Sequence, residues 1–250
     1  VVLEVYPEHA MVLAAGLGLR MRPITEHKPK PLVLLGGRTL LDRALDHLVS
    51  ANISSVTINL HYLGNMIISH LESRKEPDIF FSDEKSKLLD TGGGVKASLN
   101  SLGVNPFYVV NADIAWQDGS SPALSRLAHF WQDDRMDVLL LLHPVDLATG
   151  YEGSGDYYIN SEMGLTRSLK SDTAPYVFTG IQLLHPRLFI DTPNTPFPLS
   201  FLYDRAQENG RLFGIIHDGA WHHIGTPSGL IEAEELFFQS ESLKEDEDAS

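Results

Sequence analysis

The sequence has no cysteine. Disulfides, thiolate nucleophiles and cysteine metal sites are therefore excluded, and a reducing, cytoplasmic setting is the simplest expectation. Basic residues are scarce: 19 Lys and Arg stand against 33 Asp and Glu, a formal net charge of −14. That balance argues against nucleic acid as a partner, since binding it relies on clustered cations. No apolar run reaches the roughly 18 residues of a membrane-spanning helix, so no membrane partner is expected. The opening stretch VVLEVYPEHA lacks the basic start and long apolar centre of a secretion signal, and residues 1–9 are expected to be a leader or disordered.

What is present describes an ordinary globular protein, with 43% apolar and 21% charged residues over 250 positions, enough for one sizeable core. The acid is unevenly placed. Glu241, Glu245, Asp246, Glu247 and Asp248 crowd the end of the sequence against Lys244, and residues 241–250 read as a solvated, disordered tail.

Apolar runs alternate with helical patterns. Ala10–Ala14, Ser55–Leu60, Asp78–Ser82, Phe107–Asn111 and Asp137–His143 read as strands. Thr39–Ala51, with Thr39 as cap, Gly64–Ser73, Gly94–Leu102 and Pro122–Trp131 read as helices. The expected fold is α/β: a Rossmann-like, mixed but mainly parallel sheet with helices on both faces. After about residue 144 the strands shorten, with helices near Ser200–Asn209 and Pro227–Gln239 around a strand at Leu212–His217. One domain over 10–240 is expected, in two halves, 10–143 and 144–240. Ligands of such sheets lie beyond the carboxyl ends of the strands, which directs attention to the loops after Ala14, Leu60, Asn111 and His143.

The first of these loops reads LAAGLGLRMRPITEHKPKP, Leu13–Pro31. Gly16 and Gly18 allow a tight turn with exposed N–H groups, an anion nest. Arg20 and Lys30 add full charges, and Pro23, Pro29 and Pro31 stiffen the segment carrying Lys30. The pattern suits more than one phosphoryl group. It is not a dinucleotide fingerprint, because Met21 stands at the third glycine position and Gly36 and Gly37 stand where the ribose-binding acid belongs. Nor does TGGGVKAS, Thr91–Ser98, have the spacing of a Walker A loop.

The string L-A-A-G-x-G-x-R-M-x-P-I-T followed by P-K-P-L resembles the signature of the nucleotide-sugar pyrophosphorylases, the sugar-1-phosphate nucleotidylyltransferases. Asn111-Ala112-Asp113, the loop DTGGGVKASL, Lys170 ahead of APYVFTGIQ, and WHHIGTP at Trp221–Pro227 extend the similarity to about residue 231. The resemblance implies the nucleotide-diphospho-sugar transferase fold, with 10–143 as its nucleotide-binding half and 144–240 as its sugar-binding half. It implies a reaction of an NTP with a sugar 1-phosphate to give an NDP-sugar and pyrophosphate.

The resemblance also implies roles. Arg20 would hold the leaving β- and γ-phosphates, Lys30 the α-phosphate, and Asp113 a Mg²⁺ ion, with Mn²⁺ an alternative. The nucleotide would rest on Leu13, Ala14, Ala15, Gly16, Gly18, Arg20, Lys30, Gly93 and Asn111. Gly155, Lys170, Thr179 and Gly180 would face the sugar phosphate. His223 stands where the family has a second metal-binding Asp, and imidazole is a poor Mg²⁺ ligand. His223 is thus a metal ligand, a hydrogen-bonding partner of phosphate or of a bound water, or a bystander. Within the family, the D-T-G-G-G loop and the N-L-H-Y-L-G turn are most similar to N-acetylmuramate-1-phosphate uridylyltransferases of cell-wall recycling. Mannose-1-phosphate guanylyltransferases and glucose-1-phosphate thymidylyltransferases share the first signature, phosphocholine cytidylyltransferases share much of it, and a catalytically weak regulator binding the same ligands is the alternative of another class.

Overall fold

In the first strand, β1 (His9–Leu13), Met11 faces one side while Ala10 and Val12 face the other, and all three are fully buried. A strand buried on both faces belongs inside a sheet covered by helices on both sides. The computed structural model, which describes residues 6–85, 87–169 and 171–248 (backbone alone from 239 on), has that arrangement.

After β1 come the short pair β2 (Leu34–Leu35) and β3 (Arg38–Thr39), then α1 (Leu40–Ser50), β4 (Ser55–Leu60), α2 (Gly64–Leu71) and β5 (Asp78–Asp83). Next are α3 (Asp90–Leu102), β6 (Phe107–Asn111), β7 (Ile114–Trp116), α4 (Ala123–Phe130) and β8 (Val138–Pro144). The second half holds β9 (Tyr157–Ile159), β10 (Leu165–Arg167), β11 (Tyr176–Leu184), α5 (Leu199–Glu208), β12 (Leu212–Ile216), β13 (Trp221–His223) and α6 (Pro227–Asp248).

Strands β5, β4, β1 and β6 run parallel in that spatial order. The antiparallel strand β11 joins the halves by pairing with β6 and β8, and β8 in turn carries the parallel β12. Both halves therefore share one nine-stranded sheet. One core cluster packs α1, α2 and α4 against one face, and a second packs α3 and α5 against the other.

Local sequence explains the element ends. Thr39 caps α1 by accepting from the Asp42 N–H at 2.9 Å, a contact worth about 1 kcal/mol, and the helix buries Leu40, Leu41, Ala44, Leu45 and Leu48. Helix α3 starts at Asp90, earlier than its glycines suggest, because the Phe197 carbonyl accepts from the N–H groups of both Gly92 and Gly93. A partner far along the chain thus satisfies first-turn donors that glycine alone would leave frayed.

Helix α6 runs to Asp248, across most of the stretch expected as a disordered tail. Residues 1–5 lie outside the described residues. Within the expected leader, Glu8 already accepts from the Ser54 backbone and β1 begins at His9. Among the described residues, no helix is long and apolar enough to cross a membrane.

Candidate active site

The cleft forms where β1 ends. Leu13 lies between Asn59 of β4 and Asn111 of β6, and the chain then leaves the sheet as Ala14–Gly18. The opening of about 790 Å³ lies over the carboxyl ends of β5, β4, β1 and β6. Leu13, Ala14, Ala15, Gly16, Gly18, Arg20, Lys30, Asn111 and Asp113 all line it.

Gly18 adopts a left-handed φ of 63° and its carbonyl accepts from the Thr25 hydroxyl at 2.7 Å. A side chain there would press on Thr25 and Lys30. Gly16 has open space at the Cβ position, so its missing side chain leaves the cleft free. Met21, the residue that breaks the dinucleotide fingerprint, is fully buried with Val33, Leu35, Leu40, Ile224 and Phe237 in a third apolar cluster. Burying such a side chain contributes about 1.5–3 kcal/mol, and it anchors the short helical turn Leu19–Met21 that carries the exposed Arg20.

Lys30 opens a second helical turn, Lys30–Leu32, after an extended Pro29. Its ammonium is almost fully buried and lies 2.8 Å from Asp113 Oδ2, while the Asp113 side chain keeps 34% of its exposure. Asp113 follows β6, and its carbonyl accepts from the Ile224 N–H just beyond β13. That pairing brings His223 beside it, since His223 lies opposite Ile114 in the β7–β13 ribbon. Burial pushes the His223 pKa down; Asp113 opposes that shift, whereas Lys30 and Arg20 reinforce it. Burial thus favours the neutral imidazole, which is stacked on Trp221 with ring centroids 6.0 Å apart and has Nε2 packed against Gly225.

The sugar-side residues are spread more widely. Gly180, at φ 85°, lies against Asn111, and a side chain there would collide with the Asn111 amide. Thr179 is fully buried and its hydroxyl donates to the Leu141 carbonyl, while its own carbonyl accepts from Trp221 Nε1. Its side chain thus faces the sheet, not the cleft. Gly155, at φ 84°, packs directly under the Ala174 carbonyl. Lys170 lies outside the described residues.

The glycines of DTGGG act differently from an anion loop. The Gly92 and Gly93 N–H groups already bond Phe197, at 2.9 and 3.1 Å. A Cβ on Gly92 would lie 2.4 Å from the Phe197 ring, and one on Gly94 would lie 2.7 Å from Glu84 Oε1. These glycines make room for neighbours. A Cβ on Gly93 would lie 3.1 Å from the Leu89 Cβ and 3.7 Å from Pro196, which lines the cleft; Gly93 itself is not among the lining residues.

Two residues to which sequence reading gave no role lie in the same cleft. Asn59 and Glu84 are 3% and 2% exposed, yet both line it. Asn59 Oδ1 accepts from the Ala14 N–H at 2.7 Å and Asn59 Nδ2 donates to Glu84 Oε1 at 2.8 Å. Glu84 Oε2 accepts from the Leu89 N–H at 2.9 Å. The signal was an acid just past the carboxyl end of β5.

The cleft is thus polarised. One end, over β6, holds Arg20, Lys30 and Asp113; the other, over β4 and β5, holds Asn59 and Glu84. This suits an elongated ligand with anionic groups at one end and a hydrogen-bonding ring at the other.

Comparison with known proteins agrees with this geometry. The Nucleotidyl transferase family profile matches residues 9–153. The chain is 38% identical to the N-acetylmuramate alpha-1-phosphate uridylyltransferase of Caulobacter vibrioides, over 91% of this chain and 96% of that protein. It is 30% identical to the enzyme of the same name from Neisseria meningitidis serogroup B, over 91% and 97%. In fold it is similar to a UDP-glucose pyrophosphorylase solved with UDP-glucose, with a TM-score of 0.78, 15% identity, and coverage of 94% of this chain and 99% of that one. Signature, fold and full-length similarity agree, and the chain belongs to the nucleotidyl transferase family, among its sugar-1-phosphate nucleotidyltransferases.

Proposed function

We propose that the protein transfers a uridylyl group from UTP to N-acetylmuramate 1-phosphate, releasing pyrophosphate, in the cytoplasmic reuse of cell-wall sugars. The observation that carries this reading is the Lys30–Asp113 pair at the phosphate end of the cleft, with Arg20 on the same wall. The choice of base and sugar is supported by the names of the two uridylyltransferases to which the chain is similar along nearly its whole length.

In the proposed reaction the sugar phosphate oxygen attacks the α-phosphorus in line and pyrophosphate leaves. No covalent enzyme intermediate is needed, so charge stabilisation and positioning supply the catalysis. Lys30, held by Asp113, is placed for the α-phosphate and the incoming phosphate; Arg20 neutralises the departing pyrophosphate. Glu84 accepts the ring imide N–H of the base. A neutral His223 can donate to a phosphate oxygen or to a bound water.

The donor set fits a hard divalent ion such as Mg²⁺. Among the described residues no three His, Cys, Asp or Glu side chains converge, so Asp113 would share the ion with phosphate oxygens and water, the coordination Mg²⁺ favours. When bound, the ion would neutralise charge on the reacting phosphates.

The test is pyrophosphate release across a grid of UTP, dTTP, GTP and CTP against muramate-, glucosamine-, glucose- and mannose-type 1-phosphates and phosphocholine, with Mg²⁺ or Mn²⁺. A signal confined to UTP with N-acetylmuramate 1-phosphate is expected. Turnover elsewhere in the grid replaces the substrate assignment, and silence from folded, nucleotide-binding protein overturns the activity.

A further inference from the structure

We infer that Asn59 is a positioning residue for base selection: its amide couples the glycine-loop backbone to the Glu84 carboxylate and keeps that carboxylate an acceptor toward the ligand. The inference rests on the reading of Glu84 as the base-facing group.

The hydrogen bonds remove every freedom the pair would otherwise have. The Ala14 N–H can only donate, so the partner Asn59 atom must be the carbonyl oxygen. The amide cannot flip, and its NH₂ must face Glu84 Oε1. The second carboxylate oxygen meets another obligate donor, the Leu89 N–H. Glu84 therefore accepts on both oxygens, and its remaining lone pairs, at the cleft wall, call for a ligand N–H. The backbone is held as well: the Glu84 N–H donates to the Leu60 carbonyl, and the His61 ring bonds the Glu84 carbonyl at 3.0 Å. Gly94 completes the device, because any side chain there would displace both Glu84 and Asn59.

The consequence is chemical. Uracil, thymine and guanine present a ring N–H where cytosine and adenine present a bare ring nitrogen, and a fixed acceptor favours the first group. Glutamine at position 84 would not substitute: with its oxygen toward Asn59, its NH₂ would face the Leu89 N–H, donor against donor. The same Asn59 amide holds Ala14, the first residue of the phosphate-facing loop, so base edge and phosphate loop share one reference point.

The experiment compares wild type, Asn59→Leu and Asn59→Asp, with Glu84→Gln as the control for the underlying reading. Steady-state KM and kcat are measured for whichever NTP the wild type uses best, for CTP, and for the sugar 1-phosphate. Asn59→Leu leaves a buried acceptor and a buried donor unpaired; it should raise the NTP KM by about 10- to 100-fold and weaken discrimination against CTP, with the sugar-phosphate KM within about twofold.

Asn59→Asp sets two carboxyls face to face, which hold one proton between them. With that proton on residue 59, the donor to Glu84 is restored. NTP KM in this variant should therefore approach wild type near pH 6 and rise steeply toward about pH 8.5, relative to wild type at each pH. The other titratable groups around the pair are His61, whose ring bonds the Glu84 carbonyl, and Asp90, Lys30 and Arg20 on the cleft wall, with the exposed Asp83 and Lys85 adjacent in sequence and paired with each other; all are present in both proteins.

If both variants only melt earlier, with wild-type KM values and base preference, Asn59 is structural and the inference falls. If Glu84→Gln leaves NTP KM and discrimination unchanged, the base reading of Glu84 falls instead. Should Asn59→Leu fail to fold, the pH profile of Asn59→Asp decides alone.

Discussion

Lys30→Met separates catalysis from stability. Methionine keeps most of the length of the buried stem and removes the charge. Breaking a fully buried pair would strand a charge and cost about 3–5 kcal/mol. Here the surviving partner, Asp113, keeps 34% side-chain exposure and retains water, whereas Lys30 itself keeps 9%. The partly exposed limit applies, about 0–1 kcal/mol, which is a melting shift of at most roughly 2–4 °C for a chain of this size. Loss of a cation aimed at developing phosphate charge costs far more, about 10²- to 10³-fold in turnover. The assays are pyrophosphate release at saturating substrates and thermal melting, run on one preparation. An activity loss below about tenfold, or a large loss together with a melting drop above roughly 10 °C, would refute the reasoning and make Lys30 a structural residue.

Three further outcomes are expected. Gly92→Ala should lower the melting temperature by roughly 3–10 °C, since its Cβ would meet the Phe197 ring at 2.4 Å and overpacking costs about 1–3 kcal/mol; an unchanged or higher value, as helix propensity alone would have it, counts against the close-approach role. His223→Asp should keep or raise Mg²⁺-dependent turnover, because a carboxylate beside Asp113 suits a hard ion better than imidazole; complete loss of activity would show that the ring is needed. Burial lowers the pKa of His143, His185 and His217, so between the unfolded value near 6.5 and the lower folded values the unfolded chain holds more protons. Their stability contribution is complete above about pH 6.5 and declines below it, so melting should be lower near pH 5.5 than near pH 7.5; a flat or inverted profile contradicts this.

Much of the molecule was legible in one dimension because the physics there is local. Strand β4 and strand β6 were readable residue for residue, since the alternation of SVTINL and the apolar run FYVV closed by Asn111 each admit few alternatives. The cap at Thr39 and the loop at Gly16 and Gly18 depend on nearest neighbours in the chain. Arg20, Lys30 and Asp113 could be named because the signature spaces them, and their shared cleft follows from β1 lying between β4 and β6.

The sequence by itself thus determined the α/β class, the glycine loop that lines the cleft and the family. The tertiary structure alone decided which neighbours Gly92 and Gly94 make room for, Phe197 and Glu84, which no spacing rule reveals. It also turned the Thr179 hydroxyl into the sheet. It carried helix through the acidic stretch to Asp248. And it joined Ala14, Asn59, Glu84 and Leu89 into one hydrogen-bonded chain. The physical reason is the same in each case. Whether a polar group is buried, and which partner then satisfies it, is set by segments far apart in the chain that pack only once the sheet has closed.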